Sequence, residues 1–150
     1  MSEMAVPPGW TLQTLTDPFE ALAGPLYERP HQRPPQRNGE PARDLAFRVA
    51  QQHTNARGVA HGGMVMTFLD ASLGCAAADA CGRQPIATVT LNVDFVGPAH
   101  LDDWVVAHTN ITRRTRSLIF VTGELVAEGS EQAPTTKVAT ASAIFKVLGA

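Results

Sequence analysis

Between Gly62 and Ala78 the only charged side chain is Asp70, in a stretch rich in Ala, Met and Leu without β-branched runs. That composition predicts one long helix from Gly62 to about Ala80. Apolar residues surround it on nearly all sides, so it is expected to be buried rather than to lie on a surface. A carboxylate in such a helix is costly unless paired or used, and no basic residue on the helix offsets it. Two readings of Asp70 follow from this. It caps a nearby loop or pairs with a remote cation such as Arg48, or it is a nucleophile or general base in a desolvated cleft.

The flanking sequence reads as strands. Leu45, Phe47 and Val49 alternate with Ala46, Arg48 and Ala50. After the helix, Val89, Leu91, Val93 and Phe95 alternate with Thr88, Thr90, Asn92 and Asp94, a period of two that Gly97-Pro98 ends. Further strands are predicted over 104–112, 118–127 and 136–147, the last with Val138, Ile144 and Val147 as its apolar content. Short turns between consecutive strands predict an antiparallel meander. The fold class is therefore α+β: a curved antiparallel sheet wrapped around one long central helix, with an N-terminal helical extension. Residues 1–16 read as a loosely ordered tail. Asp17-Pro18 opens a helix over FEALAGPLYER, with Asp17 as cap, and 30–43 reads as a Pro-, Gln- and Arg-rich surface excursion. The expected division is an extension over 1–43 and a domain over 44–150, within a length of 150 residues that suits one domain.

The helix start offers a second candidate feature. His61-Gly62-Gly63 would place free N–H groups and the positive end of the dipole where an oxygen can approach closely. Such an end can hold a carbonyl oxygen and the oxyanion formed on attack, although two glycines also simply make a sharp helix start. Asn55 and His53 precede it; Asn55 can donate to a carbonyl or orient a water, or form an Asx-turn. Asp70 lies eight residues beyond Gly62, about 12 Å along the axis. If both act on one substrate, they come from different copies of the chain, which predicts a two-fold dimer with two shared sites.

Composition narrows the partners. A net charge of -2 gives no basic excess for nucleic acid. Cys75 and Cys81 form neither a ligand-spaced set nor a disulfide framework, so a reducing cytoplasm is the expected location. No signal peptide is read at MSEMAVPPGW, and the longest apolar run is too short to span a bilayer. The five histidines are scattered, and no metal set emerges.

HTNARGVAHGGMVMTFLDASLG, with Asn55, Gly58, His61, Gly62, Gly63 and Asp70 at the expected spacing, resembles the signature of PaaI-type acyl-CoA thioesterases of the hotdog superfamily. The resemblance continues through ATVTLNVDFVGPA and covers roughly 44–148. It implies hydrolysis of an acyl-CoA thioester, with a small aromatic or a short-to-medium-chain acyl group. The Gly62 amide would polarise the carbonyl, Asn55 and His61 would position thioester or water, and Asp70 of the partner subunit would activate water or attack. Thr88 matches a hydroxyl position that assists the carboxylate. Gly63 would lie at the substrate, and Arg113, Arg114 and Arg116 would meet the CoA phosphates if they are more than a solvated hairpin. CoA is then part of the substrate, no separate cofactor is implied, and the dimer is expected to assemble into a homotetramer. The extension helix would close over the acyl pocket.

Two other functions fit the same fold class. A hydratase would present an Asp/His pair at the helix start, which this chain lacks. A non-catalytic acyl-CoA sensor would lack the carboxylate or carry a DNA-binding domain. One fold hosts many activities, so the choice rests on Asn55, Gly62 and Asp70 together.

Overall fold

The computed structural model describes residues 4–32 and 42–149. In chain order the elements are β1 (Thr11–Leu12), α1 (Pro18–Ala23), β2 (Tyr27–Pro30), β3 (Arg43–Arg48), α2 (Gly62–Ala80), β4 (Ile86–Phe95), β5 (Trp104–Arg114), β6 (Leu118–Ala127) and β7 (Thr136–Val147). A short 3-10 turn, Gln51–His53, leads into the loop before α2. The strands form one antiparallel sheet in the order β1-β2-β3-β5-β6-β7-β4, packed against α2.

The helix occupies the predicted span, but its burial differs from the expectation. Met64, Val65, Phe68, Leu69, Leu73, Ala76 and Ala77 are buried as one stripe against the sheet. The opposite face is partly open in a single chain: Met66 is 40% exposed, and Asp70 is only half-buried. The stripe rests on small residues of β6 and β7, namely Gly123, Ala139, Ala141 and Ala143. Of the expected apolar content of β7, Val138 and Val147 are buried in the core, whereas Ile144 points to the other face. Phe47 and Phe68 close the core with an edge contact at 4.7 Å.

The expected meander holds for β5, β6 and β7 but not for β4. That strand pairs with β7 at the far edge of the sheet instead of with β5. The Val96 and Gly97 N–H groups both donate to Val138 O, at 2.9 and 3.1 Å, and tie its end to β7. The chain then crosses the start of α2, where Ala60 N–H donates to Ala99 O at 2.7 Å, before β5 begins. β4 also carries a bulge at Val89, between the pairs Thr88↔Phe145 and Thr90↔Ile144. The simple alternation would put Thr88 opposite Leu91 and Val93. The extra residue turns Thr88 onto the helix-facing side with them.

The N-terminal expectations need correction. Trp10 is 7% exposed and packs edge-on to Trp104 on the outer face of the sheet, with the Arg29 guanidinium over its ring at 4.4 Å. Residues 10–12 are thus anchored rather than a loose tail. The predicted extension helix is shorter than FEALAGPLYER: α1 ends at Ala23, and Tyr27–Pro30 pairs with β3 as a strand. Asp17 and Pro18 do act as cap and first turn. The core of the expected surface excursion, 33–41, lies outside the described residues. Among the described residues, no helix is long and apolar enough to cross a membrane.

A Cβ on Gly123 would meet Leu73 Cδ2 at 2.7 Å and His108 O at 3.1 Å. Gly123→Ala is therefore expected to destabilise the fold by about 1–3 kcal/mol, read by denaturant unfolding.

Candidate active site

The loop before α2 is built by its own backbone. Asn55 N–H donates to Val59 O at 2.9 Å, and Gly58, at φ +77°, supplies the left-handed turn. The Asn55 side-chain oxygen accepts from Arg57 N–H at 2.9 Å, so the Asx-turn reading is correct. That bond occupies the carboxamide oxygen, which leaves the NH₂ group as the end available to another acceptor, and Asn55 is in the wall of a cavity. His53 is buried, its Nδ1 accepting from Ala50 N–H at 2.9 Å while Nε2 meets Ala23 O at 2.6 Å. Contact with a carbonyl requires Nε2 to carry a proton, so His53 is a structural link between this loop and α1.

His61 caps α2, its Nδ1 accepting from Gly63 N–H at 2.8 Å. In the neutral ring the proton therefore sits on Nε2. Gly63 N–H is consumed by this cap, which removes Gly63 as an amide donor to substrate. As the first helical residue, Gly62 has no intrahelical acceptor for its N–H, and among the described residues no backbone acceptor takes it. A cavity of about 360 Å³ opens here, walled by Asn55, Val59, Gly62, Phe95 and Pro98 among others.

Asp70 lies elsewhere. Its Oδ1 accepts from the Thr88 hydroxyl at 2.8 Å, the contact that the bulge in β4 makes possible. The suggested pairing with Arg48 is absent: that guanidinium donates to Asp102 O and Ala5 O and lies over Trp104. Asp70 borders two cavities, of about 340 and 320 Å³, that share Asp17, Glu20 and Asp70 in their walls. Cys75 lines the first, but burial, then the Asp79 charge, push its thiol up to about 12, so it is no nucleophile there. Arg43 on the same wall donates to Glu28 at 2.8 Å, with Asp79 at 3.5 Å. Among the described residues no cluster of His, Cys, Asp or Glu is placed to hold a metal ion.

One chain thus brings Asp70 to Thr88, and Asn55 and His61 to Gly62, but not the two groups to each other. Arg113, Arg114 and Arg116 are exposed around the β5–β6 turn and line none of these cavities. Arg114 is in the row Thr88–Phe145–Ile119–Arg114 across the sheet, at the Asp70 end. Sequence reasoning missed Glu20, which carries no motif and is brought to Asp70 only by the packing of α1. The Asp17-Pro18 cap was the one signal of that helix.

The thioesterase superfamily profile matches residues 57–134, which span Gly62, Asp70, Thr88 and the Arg turn. A Pseudomonas aeruginosa protein, PA0474, named for an esterase activity, is 32% identical over 123 residues, covering 81% of this chain and 87% of its own length. The chain belongs to the thioesterase superfamily. Mouse acyl-coenzyme A thioesterase 13 is 29% identical over 91 residues, 55% of this chain and 65% of that protein. A variant of the phenylacetic acid degradation protein PaaI from Thermus thermophilus superposes with a TM-score of 0.69 at 24% identity, over 88% of this chain and all of that one. That likeness shows the hotdog fold. As a member of this superfamily the chain is a thioester hydrolase, and the resemblance first seen in HTNARGVAHGGMVMTFLDASLG holds across the fold.

Burial, then the charges of Asp17 and Asp70, raise the proton affinity of the Glu20 carboxyl. A carboxyl that binds its proton more tightly when folded lowers stability once the unfolded chain ionises, and this penalty vanishes below the unfolded value of ~4.3. Glu20→Gln is therefore expected to raise Tm at pH 7, with the gain shrinking as the pH falls and gone by about pH 3.

Proposed function

We propose that this thioesterase hydrolyses acyl-CoA thioesters in two sites, each shared between two copies of the chain. One observation carries the reading. The two halves of the machinery sit at opposite ends of β4, an edge strand that has no partner on its outer side among the described residues. Phe95 at one end walls the Gly62 cavity, and Thr88 near the other holds Asp70. Antiparallel pairing of β4 with β4 of a second copy would set the Phe95 end of each against the Thr88 end of the other. It would also cover Val89 and Phe95, each 57% exposed, and the free edge itself. Each Gly62 amide would then face the other copy's Asp70, which the helix rise of about 12 Å forbids within a chain.

The chemistry follows from the parts. The thioester carbonyl accepts from Gly62 N–H, whose dipole-backed position strengthens as the oxygen gains charge. The Asn55 NH₂ and the His61 Nε2–H are the remaining donors that position thioester or water. Thr88 occupies Oδ1 of Asp70 and leaves Oδ2 to act. Oδ2 takes a proton from water as the water oxygen attacks the carbonyl carbon, or attacks that carbon itself; both routes use the same carboxylate. Collapse of the tetrahedral intermediate breaks the C–S bond, and the CoA thiolate leaves and takes up a proton, in the water route the one that Asp70 holds. In the direct route the acyl group stays on Asp70 as a mixed anhydride, which water then hydrolyses to the free acid and the carboxylate. A small aromatic or short-to-medium acyl chain is the proposed substrate. CoA belongs to the substrate, and Arg113, Arg114 and Arg116 are the cations available to its phosphates on the surface. Further association of dimers into a homotetramer belongs to the same proposal.

Thiol release from a panel of aryl- and alkyl-CoA esters tests the reading. Asp70→Asn is expected to lose about 100-fold or more in kcat with its shape preserved. Equal turnover by both proteins would make Asp70 structural. Sharing is tested by mixing Asp70→Asn with Asn55→Asp, which keeps the Asx-turn acceptor but removes the NH₂ donor. Co-expression of the two inactive chains should restore about a quarter of wild-type activity, because half of random dimers carry one intact site. A mixture as inactive as its components would place the whole site in one chain.

A further inference from the structure

The cavity at the start of α2 differs in charge from the two beside Asp70. Its wall holds Asn55, Gly62, apolar residues such as Val59, Val65 and Phe95, and one ionisable side chain, Arg57. The cavities beside Asp70 carry Asp17, Glu20 and Asp70 instead, and the cation in their walls, Arg43, is engaged by Glu28 and Asp79. Arg57 takes no part in the chemistry derived above, yet its backbone is fixed. Arg57 N–H donates to the Asn55 side-chain oxygen at 2.9 Å, Gly58 N–H donates to Asn55 O at 3.0 Å, and Thr54 pairs with Ala60 to close the turn. The side chain is exposed, and among the described residues no carboxylate pairs with it. An uncompensated cation at the rim of a largely apolar cavity, beside the free Gly62 amide and the positive end of α2, is complementary to an anion.

We infer that Arg57 is a specificity-determining residue of this thioesterase, binding the diphosphate of the CoA arm as that arm leaves the Gly62 cavity. The inference deepens the acyl-CoA reading above and rests on it. With its carbonyl on Gly62 N–H, a thioester has two arms to place, and only one of them carries phosphates. The Asp70 side of the shared site, with Asp17 and Glu20 in the same walls, repels phosphate. The CoA arm therefore runs out on the Gly62 side, where Arg57 stands. Along that arm the diphosphate is covalently nearer the thioester than the 3′-phosphate, so it is the first charge to pass the rim. The planar guanidinium can hold two phosphate oxygens at once through parallel N–H···O bonds. The 3′-phosphate, farther along the arm, is left to other cations.

The test compares kcat/KM for one acyl group carried on CoA, on dephospho-CoA, which lacks the 3′-phosphate, and on pantetheine, which lacks the diphosphate as well. In Arg57→Gln the ratio of the CoA to the pantetheine substrate is expected to fall about tenfold, through KM, and the dephospho-CoA substrate should fall with CoA. Arg57→Lys keeps the charge but loses the fork, and should recover part of the ratio. A ratio equal in wild type and Arg57→Gln overturns the inference. So does a loss seen with CoA but not with dephospho-CoA, which would assign Arg57 to the 3′-phosphate. An equal loss on all three substrates with a weakened dimer would mean that Arg57 pairs with a carboxylate of the second copy, and it also overturns the inference. A second readout needs no turnover: the calorimetric Kd of free CoA should rise about tenfold in Arg57→Gln, and an unchanged Kd counts against the role. The two proposals fail separately. Hydrolysis of acyl-CoA by the wild type with an unmoved ratio sinks only the inference, whereas no hydrolysis of any acyl-CoA sinks the reading on which it rests.

Discussion

Because a Cβ on Gly123 would come within 2.7 Å of Leu73, the glycine sets how deeply α2 settles into the sheet. Ala139, Ala141 and Ala143 extend the same shallow floor along β7. Larger residues there would lift the helix and draw Asp70 away from Thr88, a contact of 2.8 Å that tolerates little displacement. The carboxylate is thus positioned by what the floor lacks. Its hydroxyl partner is positioned by an extra residue, since without the bulge at Val89 the Thr88 side chain would face outward. Two local departures from regular packing, one a missing side chain and one an added residue, meet at the Asp70 carboxylate.

Much of this was legible in the sequence. The bounds of α2 and the spans of β6 and β7 followed from composition and period, because one strong local signal governs each. Asp70 stood out because it is the one charge between Gly62 and Ala78, and the Asn55 to Gly63 spacing pointed to the other half of the candidate site. What stayed hidden is non-local. Nothing in the alternation from Thr88 to Asp94 tells that β4 leaves the meander to pair with β7, or that one residue bulges. The pairing goes with the crossing of 98–103 over the start of α2, which is fixed by hydrogen bonds to residues far away in the chain.

The N-terminal segment illustrates the same limit. Trp10 has no periodic neighbours, yet Trp104, Tyr27 and the Arg29 guanidinium give it a buried place on the outer face of the sheet. The helix that follows is too short to be stable by itself. It persists because Asp17 caps one end and His53 takes the last carbonyl at the other. Burial of His53 against Phe47, at 5.3 Å between rings, ties that anchor to the central core. The extension is therefore coupled to the same loop and helix that build the site.

Dividing the proposed site between two copies answers two physical problems with one set of residues. A helix offers its free N–H groups only at its start, whereas a carboxylate buried well along it is better shielded from water. A single copy of α2 cannot bring both to one carbon atom, and a second, antiparallel copy can. The strand that relates the two copies is also an edge strand, its outer side unpaired among the described residues, with Val89, Phe95 and the adjoining Val96 more than half exposed. An open, apolar edge is a liability for a lone chain. Under the proposed pairing that edge is consumed by the contact that completes the chemistry, so assembly and activity are a single constraint on the residues of β4.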